Sequence, residues 1–340
     1  MAIAPSISSL TSPLMIPPGH RLVFGVSLAQ PVESGERNTG VPCSTTPVSS
    51  KVPGEIEMKW TIGDVIVTKV VELEQLIPVG GLLPSATEEG LGRHRSWLEP
   101  HFMDADGNTL LSIHALVIET AGLRVLVDTC VGDRAIEGMP GFRGDPGFLE
   151  RMEAAGFPVE TIDIVCCTHL HFDHVGWNTR PEGDRWVPTF PNARYLFCRA
   201  EYEHWMAEPG GYASNLPDTV TPVVEAGLVD LIEPTHSVTA DVRFVPTPGH
   251  SPGHMSVLVE SQGQRALITG DATHHPVQWA EPDWGMGGDW NGPMGAQSRR
   301  MLRDEHGDSG TLVIGTHYAS PTAGWVESVE GGWCFRACEG

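Results

Sequence analysis

The stretch Thr168-His169-Leu170-His171-Phe172-Asp173-His174 places four candidate metal ligands within six residues. Imidazole and carboxylate are the donors preferred by zinc and related divalent cations. The stretch follows Ile162 to Cys167, a short apolar run that reads as a buried strand. In an extended segment, positions i and i+2 face the same side, so His169 and His171 can reach one cation together. Asp173 and His174 then turn toward a second. A polar loop that happens to be rich in histidine is the competing reading. Four such residues at this spacing, directly after a strand, make it the weaker one.

A pair of cations needs donors from elsewhere in the chain. Thr247-Pro248-Gly249-His250-Ser251-Pro252-Gly253-His254 follows the strand-like run Val242 to Val245, and its Pro and Gly residues set a tight turn that aims one imidazole. His250 lies nearer the strand end and is the expected ligand, with His254 in a supporting role. Thr269-Gly270-Asp271 ends the run Ala266 to Thr269, and a carboxylate there can bridge two cations, one oxygen to each. Gly315-Thr316-His317 follows Thr311 to Ile314 and offers a last imidazole. Each element alone is weak, because a single His after a strand is usually an ordinary satisfied polar group. The case rests on recurrence: successive strand ends deliver the donors of one site.

This pattern resembles the metallo-β-lactamase superfamily from about Trp60 to His317, with the family's His-x-His-x-Asp-His motif standing as His169, His171, Asp173 and His174. The resemblance implies an α/β chain folded as an αββα sandwich, two mixed β-sheets face to face with helices outside and the metals at one edge. It implies that His169, His171 and His250 hold a first metal, that Asp173, His174 and His317 hold a second, and that Asp271 bridges both. Two divalent ions are expected, Zn2+ foremost, with Mn2+, Co2+ or Fe2+ as alternatives. The bridging Asp271 is similar to the lactonase, glyoxalase II and organophosphate-hydrolase branches rather than to true β-lactamases, which lack it. The wording of the two histidine motifs looks closest to N-acyl homoserine lactonases and organophosphate hydrolase-like members. One position departs. Those lactonases carry Tyr three residues after the bridging Asp, and here His274 stands there, which tells against carrying over acyl-homoserine lactone specificity.

The expected activity is that of a dinuclear-metal hydrolase. A water shared by the two cations would be activated near neutral pH and would attack a small apolar lactone or carboxylic ester. Asp173 would orient the nucleophile and relay a proton. His274 is the candidate oxyanion donor, or else a structural partner of the ligands. His114, Trp177, Asn178 and His275 are the candidate substrate contacts; a buried structural role is the alternative for His114, and support of the ligands for Trp177 and Asn178. Trp97, Trp177, Trp186, Trp205, Trp279, Trp284 and Trp290 fall mostly in loops after the motif strands and suggest an aromatic rim. The Gly- and Trp-rich segment 276–294 is the candidate lid. Hydrolysis of an organophosphate or aryl ester, or hydrolytic dehalogenation of an activated aromatic, uses the same hydroxide and is the alternative. A nuclease and a non-catalytic metal protein rank below. His171 argues against the di-iron relatives, which carry Glu there, and no basic C-terminal segment suits glutathione as in glyoxalase II.

The elements that must position these residues read as follows. Ile62 to Leu73 alternates as a strand, and His114–Glu119 with Leu123–Asp128 around Thr120-Ala121-Gly122 reads as a hairpin. Helices are expected over 145–156, 200–207 and 298–305, and strands over 162–167, 193–198, 242–245, 256–260, 266–269 and 311–314. Residues 1–57 are rich in Pro, Ser and Thr and read as a disordered extension, leaving 58–340 as the catalytic domain.

Acidic residues outnumber basic ones 43 to 21, a net charge of −22. Nucleic-acid binding depends on Lys and Arg displacing counterions, so this balance argues against nucleic acid and against anionic membranes. A small molecule is the expected partner, and the resemblance allows a homodimer. No run nears the roughly 18 apolar residues of a membrane span, and no signal peptide is evident. Seven cysteines without regular spacing make a poor disulfide framework and suggest a reducing, cytoplasmic setting, with Cys334 and Cys338 either paired or idle.

Overall fold

The computed structural model describes residues 48–49, 56–136, 142–208 and 210–338. Two large sheets dominate. The first contains β1 (Lys59–Ile62), β2 (Val65–Pro78), β3 (Asn108–Thr120), β4 (Leu123–Val127), β5 (Ile164–Cys166), β6 (Arg194–Cys198) and β7 (Val229–Ile232), and they lie side by side in chain order. β1 to β4 run antiparallel, whereas β4 to β7 are parallel. The second contains β8 (Val242–Pro246), β9 (Met255–Ser261), β10 (Gln264–Ile268), β11 (Leu312–Ile314), β12 (Ala323–Val329) and β13 (Gly332–Ala337), again in chain order, with β10 and β11 parallel and the rest antiparallel.

Successive residues of a strand point to opposite faces, and here both faces are apolar. Val125 and Val127 face the second sheet, while Leu126 between them faces outward. Val257 and Val259 face the first sheet, and Leu258 faces outward. The inward set, with Leu116, Ile118, Phe244, Ile268 and Ile314, forms the central core. The outer face of the first sheet is covered by α2 (Phe148–Ala154) through Phe148 and Met152. The outer face of the second is covered by α1 (Glu88–Leu98) through Leu91 and Leu98, and by α4 (Gly292–His306) through Leu302. A further helix, α3 (Arg199–Ala207), follows β6 directly. The architecture is the expected αββα sandwich.

Some expectations change. The strand read as Ile62 to Leu73 is two strands, because Gly63 at φ +58° turns the chain between β1 and β2. The hairpin at Ala121-Gly122 stands, both residues taking the positive φ that a tight hairpin turn requires. Helix α1, the ladder of 179–182 with 185–188, and the terminal hairpin β12–β13 are additions. Cys334 is a free thiol and Cys338 is disulfide-bonded, so these two do not pair. Of the expected extension 1–57, Val48–Ser49 pairs with Ile56–Glu57; the remainder lies outside the described residues. Among the described residues no helix is long and apolar enough to cross a membrane.

Candidate metal centre

All the ligand candidates leave from strand ends on one edge of the sandwich. β5 ends at Cys166, and the chain bends at Thr168, His169 and His171 before Phe172–Val175 closes one helical turn. His169 and His171 nonetheless come together, their ring centroids 4.5 Å apart. The turn then carries Asp173 and His174 round to a neighbouring position. In the second sheet, β10 and β11 are parallel and in register at Ile268 and Ile314, and Asp271 and His317 each follow three residues later. Parallel pairing thus brings together two residues far apart in the chain.

The site is compact. His169, His171 and His250 form one group of donors, and Asp173, His174 and His317 another, with the ligand atoms of each group within 4.8 Å of one another. Asp271 stands between them. Its Oδ2 lies 3.3 Å from His250 Nε2 and 3.8 Å from His169 Nε2, and its Oδ1 lies 3.3 Å from His174 Nε2 and 3.1 Å from His317 Nε2. His171 Nδ1 approaches His250 Nε2 at 3.0 Å. Only Asp173 is appreciably open, its side chain 16% exposed, so the site is reached from that side.

The outer ring nitrogens are fixed by neighbours. His174 Nδ1 donates to Asp128 at 2.8 Å, His250 Nδ1 to Asp289 at 2.9 Å, and His317 Nδ1 to the Ser112 carbonyl at 3.1 Å. Thr168 donates its hydroxyl to Asp128 at 2.9 Å and so accepts from His169 Nδ1 at 3.1 Å. In His169 and His250, which burial keeps neutral, the bond leaves Nε2 with its lone pair facing inward, the tautomer that binds metal. His254 accepts from the Asp271 backbone N–H and donates to Thr247, which fixes the chain at Asp271.

The donor set fits divalent cations. His169 Nε2, His174 Nε2 and Asp271 Oδ1 are buried without a hydrogen-bond partner, a costly state unless something else satisfies them. Burial holds His169, His171 and His250 well below the usual imidazole range, hence neutral. For His174 and His317 burial acts the same way, but Asp271 outweighs it, with Asp173 helping both and Asp128 helping His174, and raises them. Asp271 is held well below the usual carboxylate range: burial opposes this, and His174, His317 and His274 overcome it.

The remaining candidates divide. His274 belongs to the cluster: its Nε2 lies 3.0 Å from Asp271 Oδ2, its ring stacks on His317, and neither nitrogen has a hydrogen-bond partner. His275, its neighbour, has both nitrogens engaged, Nε2 with the Phe102 carbonyl and Nδ1 with the Val277 N–H, and caps the turn that follows. His114 is buried on β3, bonded to Ser112 Oγ at 3.0 Å with Nε2 unpartnered. Trp177 donates to Glu72 and stacks on Phe148 in the outer core. Asn178 is fully buried and accepts from Thr129. The expected tryptophan rim shrinks as well. Trp279 is buried against Tyr318, Trp186 stacks on Arg134, and Trp97 and Trp284 flank His94. Trp205, 5.4 Å from the His171 ring, stays at the site. The segment 276–294 is tied down rather than free: Trp290 N–H and Asn291 N–H donate to the carbonyls of His250 and Gly249.

Four residues at the site escaped the sequence reading. Asp128 carried a usable signal, an acidic residue at the end of β4, as Asp271 is near the end of β10. Asp289, Glu201 and Tyr212 carried none. Tyr212 stacks on Phe172 and lies 5.4 Å from the His171 ring.

A family model for the metallo-beta-lactamase superfamily matches residues 108–304. Among curated proteins, the chain is 29% identical over 184 residues to an N-acyl homoserine lactonase of Bacillus cereus, covering 49% of this chain and 67% of that one. It is 32% identical over 146 residues to the N-acyl homoserine lactonase AttM of Agrobacterium fabrum, covering 40% and 51%, so the match spans about half of that relative. Among solved structures, AidC, a dizinc quorum-quenching lactonase, and AbOPH, a hydrolase of the beta-lactamase superfamily, each superpose with a TM-score of 0.69 at 20% identity, covering 83% of this chain and 97% of theirs. At that identity they speak for the fold.

Proposed function

This chain belongs to the metallo-beta-lactamase superfamily, and we propose on that premise that it is a hydrolase that binds two divalent cations, zinc foremost, and opens a small lactone or carboxylic ester. The observation that carries the reading is the placement of Asp271, whose two oxygens face different imidazole groups. His169, His171 and His250 would hold one cation, Asp173, His174 and His317 the other, and Asp271 both. Bound there, the pair supplies Lewis acidity and brings the pKa of a water near neutrality.

The chain's own residues do the rest. Asp173, on the open side, accepts the proton of the attacking water and returns it to the departing alkoxide. His274, beside Asp271, presents a ring nitrogen to the carbonyl oxygen as charge develops on it. Asp128 and Asp289 hold the imidazoles of His174 and His250 with Nε2 facing inward. Trp205 and Tyr212 wall the approach with aromatic surface, which favours an uncharged substrate; a protein of net charge −22 attracts anionic ones poorly. The lactonase names of the curated relatives support the lactone class.

The test is a hydrolysis screen of zinc-loaded protein beside Asp271→Ala. The panel holds acyl-homoserine and simple γ- and δ-lactones, p-nitrophenyl esters, a phosphotriester and an activated haloaromatic. Metal-dependent turnover of lactones or esters, lost in the variant, is the expected result. Turnover confined to the phosphotriester or haloaromatic would replace the substrate assignment.

A further inference from the structure

Glu201 lies in the first turn of α3 and is fully buried, and among the described residues it forms no ion pair. Its carboxylate is shared by three donors from three segments. Oε1 accepts from the Leu170 N–H at 3.2 Å and from Trp205 Nε1 at 2.7 Å, and Oε2 accepts from the Gly253 N–H at 2.7 Å. Leu170 stands between His169 and His171. Gly253 lies three residues after His250. Trp205 packs its ring on His171. Two of the bonds end next to His169 or His171 and the third in the loop that carries His250, and none ends next to Asp173, His174 or His317. His174 and His317 are steadied elsewhere, by Asp128 and the Ser112 carbonyl.

The approach is close enough to restrict the loop. A Cβ on Gly253 would lie 2.4 Å from the Glu201 nitrogen and 2.7 Å from its Cβ, which accounts for the second glycine of Pro248-Gly249-His250-Ser251-Pro252-Gly253. A buried carboxylate facing only neutral donors is expensive, and an apolar side chain of that size would pack there at less cost. What the carboxylate adds is a second tie between two loops whose main chains otherwise meet only farther along, where the Met255 N–H donates to the Thr168 carbonyl at 3.0 Å.

We propose that Glu201 is a positioning residue that sets the distance between the His169–His171 segment and the His250 loop, and so governs cation affinity at that group alone. The inference rests on the metal-binding reading above. It goes beyond it in assigning an unequal effect on two cations to a residue that touches neither.

The test is cobalt titration of the metal-free full chain, followed by visible absorbance and by metal content after desalting. Wild type, Glu201→Gln and Glu201→Leu are compared. Wild type takes up two equivalents. Glu201→Leu keeps one tight equivalent and binds the other 10–100-fold more weakly, the usual range for loss of a ligand-supporting partner. Glu201→Gln preserves size and one acceptor, folds as wild type by circular dichroism, and falls between the two. Equal weakening of both equivalents would mean a general structural role and would overturn the proposal, as would unchanged binding in both variants. A wild-type chain that takes up no cobalt would sink the metal-binding reading first, and this inference with it.

Discussion

Replacing Asp289 with Ala isolates what one carboxylate of the segment 276–294 contributes to the centre. Asp289 is nearly buried and accepts from His250 Nδ1 at 2.9 Å, while its other oxygen takes the Met286 N–H at 3.2 Å. The backbone around His250 is held by main-chain bonds that do not use this carboxylate, from Trp290 and Asn291 to His250 and Gly249. The substitution therefore frees the imidazole without freeing the loop. A hydrogen bond with a charged partner contributes about 1.5–3 kcal/mol. At 1.4 kcal/mol per tenfold, this is a loss of about 10–100-fold in affinity for the cation held by His250. Asp289→Asn keeps an acceptor but not the charge, and falls nearer to wild type. Arg299, 3.8 Å from Asp289, retains its bonds to the Pro282 and Ala272 carbonyls, so the fold survives the change. Zinc competition against a chromophoric chelator measures the affinity directly. If Asp289→Ala binds both cations within twofold of wild type, orientation of His250 by this carboxylate has no energetic weight and the reasoning is refuted.

Other outcomes follow from the same geometry. His274→Ala should lower kcat by about 100-fold with cation content unchanged, whereas His275→Ala should cost about 1–2 kcal/mol of stability and leave kcat near wild type; the reverse pattern would exchange their roles. Gly253→Ala should cost about 1–3 kcal/mol by overpacking against Glu201, read as a lower denaturant midpoint. Lys69 is buried beside Thr322, with Glu74 at 4.0 Å and His114 nearby; burial lowers its pKa to about 8, with Glu74 opposing. Between about pH 8 and 10.5 the unfolded chain keeps a proton that the folded protein has shed, so this group makes stability rise with pH across that window. The span corresponds to about 3 kcal/mol, and Lys69→Met should recover part of it at pH 7 and flatten the rise, as urea unfolding at pH 7 and 10 would show.

The parts of the site visible in the sequence were those with local grammar. His169 to His174 announces itself by donor density after an apolar strand, and His250, Asp271 and His317 by repetition of the same strand-end logic. The alternation in β4 and β9 is apolar on both faces, which points to two covered sheets but leaves their order open. What stayed hidden depends on tertiary contact. Nothing in Gly-Asp289-Trp says that its carboxylate reaches His250, and Glu201 on a polar helix reads as a solvated residue until the sandwich closes over it. The tryptophans misled for a related reason: their loops fold back onto the core, so Trp279 and Trp177 spend their indole N–H groups on Tyr318 and Glu72 instead of a rim. His274 and His275 are adjacent and alike in sequence, and only backbone geometry separates one that faces Asp271 from one that caps a turn.

Each donor group draws on both halves of the sandwich: His169 and His171 from the first sheet with His250 from the second, and Asp173 and His174 from the first with His317 from the second. A cation held by either group is therefore a clasp across the seam between the sheets. Unfolding that begins by parting them must break coordination first, whereas fraying at β1 or β13 need not. With free cation at 100 times its dissociation constant, the clasp contributes about 2.7 kcal/mol to whichever opening releases it. The seam that carries the proposed site would then also be the part of the molecule whose strength follows the supply of metal, and proteolysis at limiting zinc should cut first where the two sheets come apart.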